Sequence, residues 1–224
     1  MDNVLLISLG YLFGISLLLI FNEVNYRWFK IKGEYSRKIA HVLATLATLP
    51  FPFLFSSHWY VFFLAALFFV VLWSSQRIRQ LNSIHDIARN SYGSYLLPLA
   101  IYFTFLGYTF SGDPVMYILP ITILAICDPV AALAGMSVKK YNRTLSLPGI
   151  PTKKTVVGSF AFLCASAILS LIILNWWSEW TLNKMVLMSI NIAIVSTLAE
   201  LLSWRGSDNL TIPLSVQLTV WILI

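Results

Sequence analysis

The chain has 224 residues and a formal net charge of +6; 58% of its residues are hydrophobic and only 11% charged, with 8 Trp, 10 Tyr and 15 Phe. About a quarter of a soluble domain is charged, so this composition excludes an ordinary soluble enzyme. Apolar runs of roughly 18 to 22 residues recur, each able to cross a hydrocarbon core of about 30 Å. They are apolar on every face rather than alternating, which excludes a β-barrel. The expected fold is all-α: a polytopic integral membrane helical bundle of about seven spans plus a short C-terminal apolar helix, one integral membrane domain over 1–224.

In chain order the spans are expected at 4–21, 39–55, 59–73, 92–110, 114–136, 156–176 and 182–203, followed by a tail at 210–224 that is marginal as a crossing. The first run begins with Asp2 rather than a basic segment and has no small-residue cleavage site after it, so it is expected to stay as a helix rather than act as a signal peptide. Five of the fifteen Lys and Arg lie in 22–38, three in 74–91 and five in 137–155; Arg205 follows the seventh span, and Lys184 alone lies on the other side. These are alternate loops, which places the N-terminus outside and the basic loops in the cytoplasm. Confinement to loop ends also makes the positive charge a topology signal rather than a nucleic-acid surface. Cys127 and Cys164 lie within apolar runs and form no metal or disulfide pattern. Trp59, Trp73, Trp176, Trp177, Trp180 and Trp204 mark an interfacial belt.

The polar residues gather at the basic side. "GEYSRKIAHVLATL" opens the second span, where spacings of three and four set Lys38 or Arg37 on one face with His41. "AICDPVAALAG" puts Asp128 within the fifth span, nine residues or about 13 Å from its end at Ser137. Pro129 is expected to disturb that helix and free carbonyls beside the carboxylate. "SVKKYNRTLSLPGIPTKKTVVGSF" is a basic loop without acids that delivers Lys153, Lys154 and Thr155 to the start of the sixth span, with Gly158 and Ser159 one turn in. Such a helix start offers unpaired N–H groups and a positive dipole end, which suits phosphate. "LAELLSWRGSDNLTIPL" then brings Glu200, Asp208 and Asn209 to the same side. The glycosylation patterns at Asn142 and Asn209 fall on the cytoplasmic side and are discounted.

Each piece has an ordinary reading: flanking cations anchor topology, His41 packs, and Glu200 pairs with Arg205 or a lysine. A carboxylate at the centre of a membrane helix costs about 2.5–3.5 kcal/mol even on insertion scales, and three acids beside a basic loop on one leaflet need a common purpose. Carboxylates bind Mg²⁺ and bridge it to nucleotide phosphates. Lysines neutralise the remaining phosphate charge. No Walker A or soluble kinase signature is present, so such a site belongs to another fold.

"SRKIAHV", "DPVAALAG", "KKTVVGSFAF" and "AELLSWRGSDNLTIPL" resemble, in order, the motifs of the CTP-dependent lipid kinases, the family of phytol kinase, dolichol kinase and the CTP-dependent diacylglycerol kinase. That family is similar to phosphatidate cytidylyltransferase. The resemblance implies transfer of the γ-phosphate of CTP to the hydroxyl of a long-chain isoprenoid alcohol, with Mg²⁺ as cofactor. It implies that Asp128, Glu200 and Asp208 hold the metal and that Lys153, Lys154, Thr155, Gly158, Ser159 and Asn209 hold the nucleotide. Arg37, Lys38 and His41 would line the phosphate or headgroup entrance, and His41 and Asp128 are the candidates for the catalytic base. Lys139 stands where the family commonly has a second glycine, and Val157 where it often has an acid. The alternatives are a cytidylyltransferase acting on phosphatidate, whose C-terminal acidic signature is missing, and a transporter of an anionic lipid or metabolite.

Overall fold

The computed structural model describes residues 2–29, 34–77, 91–138, 142–145 and 154–223. Among them eight long helices and one single-turn helix account for the fold, and no strand forms beyond an isolated bridge between Thr144 and Thr155. In order these are α1 (Asp2–Trp28), α2 (Glu34–Ala47), the one-turn α3 (Phe51–Leu54), α4 (His58–Arg77) and α5 (Gly93–Ser111). They continue as α6 (Val115–Ser137), α7 (Val156–Trp177), α8 (Leu182–Leu202) and α9 (Asp208–Leu223).

Among the described residues five helices are long and apolar enough to cross a membrane: Val4–Trp28, His58–Ser75, Val115–Ser137, Val156–Trp177 and Leu182–Leu202. α5 and α2 fall short for different reasons. The 19 residues of α5 are interspersed with Tyr, Thr, Ser, Gly and Pro98. The stretch at 39–55, expected as one span, is instead two helices with a turn at 48–50, because Pro50 and Pro52 lack the N–H that a continuous helix needs. The C-terminal tail starts two residues earlier than expected, at Asp208, and its 16 residues give about 24 Å.

Ends are set by local chemistry. The Thr155 hydroxyl caps α7 by accepting from the Gly158 N–H, and Gly112 closes α5 in the left-handed region at φ 74°. α6 runs unbroken through both Pro120 and Pro129, so Pro129 removes one backbone hydrogen bond without interrupting the helix. Polar side chains inside helices satisfy themselves locally: Thr45, Thr104, Thr122, Ser189, Ser196 and Thr197 each donate to the carbonyl four residues back.

α6 is the hub. In its apolar stretch 61% of the residues are buried against 6% in α1, and Tyr117, Leu119, Ile121, Ile123 and Leu124 are shut off from solvent on every side. α2, α5, α7 and α9 pack around it, α8 lies between α7 and α9, and α1 lies at the rim against α2 and α4. Side chains tie neighbouring helices together by donating to backbone carbonyls. Tyr117 donates to Thr48 O at 3.1 Å, and Gln217 Nε2 donates to both Thr104 O and Met116 O at 2.8 Å. The result is a bundle whose basic end gathers the starts of α2, α5, α7 and α9 with the ends of α6 and α8.

Candidate functional site

At that end a cavity of about 530 Å³ opens between α2, α6, α7, α8 and the turn before α9. Six charged side chains or cap residues named from the sequence form its walls: Lys38, Asp128, Lys154, Thr155, Glu200 and Asp208. Gly158 and Ser159 line it too. Residues as much as 170 positions apart in the chain are thus brought to one space.

The first wall comes from α2 packing antiparallel on α6. Spacings of three and four place Lys38 and His41 toward α6, where the Lys38 ammonium is ion-paired with Asp128. His41 Nε2 lies 3.2 Å from Leu124 O and 3.8 Å from Asp128 Oδ2. His41 is buried and does not line the cavity. Arg37 is also buried; its Nη2 and Nε donate to Glu34 Oε2 at 2.6 and 2.9 Å, and it is Glu34 that faces the cavity.

The facing wall centres on Lys154. Its ammonium bridges Glu200 Oε1 at 2.7 Å and Asp208 Oδ2 at 3.1 Å, and the second Glu200 oxygen accepts from Ser159 Oγ at 3.2 Å. Burial opposes the charged lysine, but Asp208 and then Glu200 outweigh it and raise its pKa above the usual lysine value. Burial likewise opposes the Asp208 carboxylate, and Lys154 holds its pKa below the usual aspartate value. Breaking one partner of such a buried pair costs about 3–5 kcal/mol, so the two acids and the lysine fix each other's positions.

Backbone contacts hold Lys154 in place. Leu145 N–H donates to Lys154 O at 2.8 Å and Val156 N–H to Arg143 O at 3.0 Å, an antiparallel clasp ahead of α7. Asn142 completes it: Nδ2 donates to Gly135 O at 2.8 Å, and Oδ1 accepts from Val157 N–H at 3.2 Å. The helix start therefore differs from expectation. The N–H groups of Val156, Val157, Gly158 and Ser159 are all occupied, by Arg143, Asn142 and twice by Thr155, so α7 offers a positive dipole end rather than unpaired donors.

The other expected residues fall around this core. Asn209 Nδ2 donates to Gly93 O at 2.7 Å, which ties α9 to α5 outside the cavity lining. The turn before α9 has Arg205 at φ 48° and Gly206 at φ 89°, and Tyr92 N–H donates to Arg205 O at 2.7 Å. A side chain at Gly206 would run into Gly93 and Ser91, so only glycine lets the two turns touch. Lys153 and Lys139 lie outside the described residues.

Asn142 and Glu34 escaped the sequence reading. Asn142 stands in a tripeptide that reads as a discounted glycosylation pattern, and nothing in its spacing shows that it spans α6 and α7. Glu34 was findable, since an acid three residues before Arg37 is its natural helical partner.

Chemically, the cavity is lined by four carboxylates (Glu34, Asp128, Glu200, Asp208) and three cations (Lys38, Lys154, Arg205), with Arg37 paired to Glu34 behind the lining. Among the described residues no group of three or more His, Cys, Asp or Glu lies close enough to form a metal cage; the three acids expected to share a metal are divided between Lys38 and Lys154. That donor set still fits Mg²⁺, which takes one or two carboxylate oxygens and completes its shell with phosphate oxygens and water.

The chain is similar to a phytol kinase from Synechocystis sp., at 28% identity over 190 residues that cover 84% of this chain and 79% of that protein. The resemblance to the lipid kinases therefore extends well beyond the four short motifs. No family model matches the chain, and no solved structure matches it.

Proposed function

We propose that this chain is a membrane lipid kinase that transfers the γ-phosphate of CTP to the hydroxyl of a long-chain isoprenoid alcohol, at the cytoplasmic face of a bundle crossing the membrane about seven times. The observation that carries the reading is the cavity itself: two lysines and four carboxylates on facing walls, at the basic end of an apolar bundle. The relative named phytol kinase supports the reaction class and the isoprenoid acceptor. The choice of CTP rests on the motif resemblance.

In this reading Lys154 and Lys38 turn to the nucleotide phosphates, and the dipole of α7 adds to their field. Asp128, Glu200 and Asp208 would hold Mg²⁺, which supplies neutralisation of the β- and γ-phosphate charge when bound. The alcohol oxygen bonds to the γ-phosphorus, the bond to the bridging oxygen breaks, and CDP leaves. A loose transition state asks little of a base. Of the two candidates only Asp128 lines the cavity, so the hydroxyl proton passes toward Asp128, with His41 behind it.

The test is phosphate transfer by the purified protein in detergent with Mg²⁺ and γ-labelled CTP, offering phytol, geranylgeraniol, a polyprenol and diacylglycerol. An α-labelled control with phosphatidate runs beside it. Label from the γ-position on an isoprenoid alcohol is the expected result. Cytidine appearing on phosphatidate, or no transfer by a folded sample, would overturn the reading.

A further inference from the structure

The charged cavity has a depth axis, and three helices show it independently. α6 and α8 end at the basic end of the bundle and α2 begins there. On α6, Met136 lines the cavity about 12 Å nearer that end than Asp128 does. On α2, Lys38 lies one turn deeper than Glu34. At the end of α8, Glu200 lies one turn deeper than Trp204. The floor is therefore made of the ion pairs, Lys38 with Asp128 and Lys154 with Glu200 and Asp208. The rim is made of Glu34, Met136, Trp204 and Arg205.

Among the described residues that line the cavity, Trp204 is the only aromatic one, and it is 50% exposed. The backbone beneath it is held from both sides. Trp204 N–H donates to Ser207 Oγ at 3.1 Å, and Trp204 O accepts from Ser207 N–H at 2.9 Å. Arg205, the next residue, keeps its left-handed conformation because Tyr92 N–H donates to its carbonyl and Gly206 rests against Gly93. Strain of this kind persists only where neighbouring structure imposes it, and it gathers at ligand sites. Trp28, at the same end of the bundle and 80% exposed, does not line the cavity. That is how a residue with only an interfacial role is placed here.

We infer that Trp204 is the platform on which the nucleobase of the phosphate donor stacks. The inference rests on the nucleotide reading proposed above and deepens it, by adding a binding residue at the rim of the same cavity. Phosphates drawn to Lys38 and Lys154 on the floor leave the nucleoside at the rim, where the turn at 204–206 meets it. The cavity, at about 530 Å³, is within the range of small-molecule sites. Every base has a π-face, so an aromatic side chain stacks on any of them. Trp204 therefore sets the preference for a nucleotide over a bare polyphosphate, and leaves the choice among bases to the polar groups of the rim.

The experiment is equilibrium binding of CTP and of inorganic tripolyphosphate to the full-length protein in detergent with Mg²⁺. Photocrosslinking with 5-iodo-CTP, mapped by mass spectrometry, runs beside it. Trp204→Ala should weaken CTP binding about tenfold and leave tripolyphosphate binding unchanged, while Trp204→Phe recovers most of the loss. Trp28→Ala should change neither. The crosslink should fall on Trp204. A crosslink that maps away from the rim, an equal loss for CTP and tripolyphosphate in Trp204→Ala, or CTP binding that survives Trp204→Ala unchanged would overturn the platform and leave the kinase reading standing. A folded, unmodified protein that binds no CTP would remove the nucleotide reading, and the platform with it.

Discussion

Lys154 is held by Glu200 and Asp208 at once, so its replacement leaves two acids facing each other in a buried space. Lys154→Met should destabilise the protein by about 3–5 kcal/mol, and adding Glu200→Gln should restore part of that loss, read as a coupling in thermal unfolding. The same contacts set a pH window. The folded Asp208 pKa lies below its ordinary 3.8, so its contribution is present above that value and lost as pH falls through the folded one. The folded Lys154 pKa lies above its ordinary 10.5, so its contribution is present below that value and lost only as pH rises through the folded one. Unfolding temperature should therefore be level between roughly pH 5 and 9 as far as this pair is concerned and fall in acid, with a smaller acid fall in Asp208→Asn. A steep change within that window, absent from Asp208→Asn, would contradict the assignment. Asp128, Glu200, Asp208 and Lys154 were visible in the sequence because charge is conspicuous among apolar residues. Asn142 and Gln217 were not, because an amide's use depends on which carbonyl the fold sets beside it.

The contact between α6 and α7 carries the site. A Cβ at Gly158 would lie 2.9 Å from the Ala131 carbonyl oxygen, a backbone atom that cannot swing aside. Gly158→Ala should cost about 1–3 kcal/mol and raise the nucleotide KM more than it lowers kcat, because it tilts the start of α7 off the cavity wall. Asn142→Ala should cost about 1–3 kcal/mol by removing the link between Gly135 O and Val157 N–H, with Asn142→Asp intermediate since it still accepts. Unfolding temperatures in detergent check both, and unchanged values would remove the clasp from the account. Helix identity was legible from apolar runs alone, because a membrane helix satisfies its own backbone. The break at 48–50 was written in Pro50 and Pro52, yet apolarity on both sides of the prolines masked it. The partners of the first two N–H groups of α7 were not legible, since Asn142 and Arg143 come from another segment.

For the whole molecule, the charged groups at one end make orientation testable. In a Cys164→Ser background, Arg205→Cys should react with a membrane-impermeant maleimide only from the cytoplasmic side, and Ser178→Cys only from the opposite one. The reverse pattern would move the cavity to the other leaflet and contradict the charge-based topology. The end-to-end arrangement was largely readable, since alternate basic loops predict which helix termini share a face. The place of Trp204 at the cavity rim was not, because by position in the chain it belongs to the interfacial belt.

The central claim is that the cavity between Lys38 and Lys154 carries out phosphate transfer to an isoprenoid alcohol. Its most direct test is the rate of γ-phosphate transfer from CTP by the unmodified protein, Asp128→Asn and Asp208→Asn, each shown by size-exclusion elution and helical content to be folded. The account predicts transfer by the unmodified protein and a loss of about 100-fold or more in both amide variants. A folded protein that transfers nothing, or amide variants that retain full activity, would contradict it.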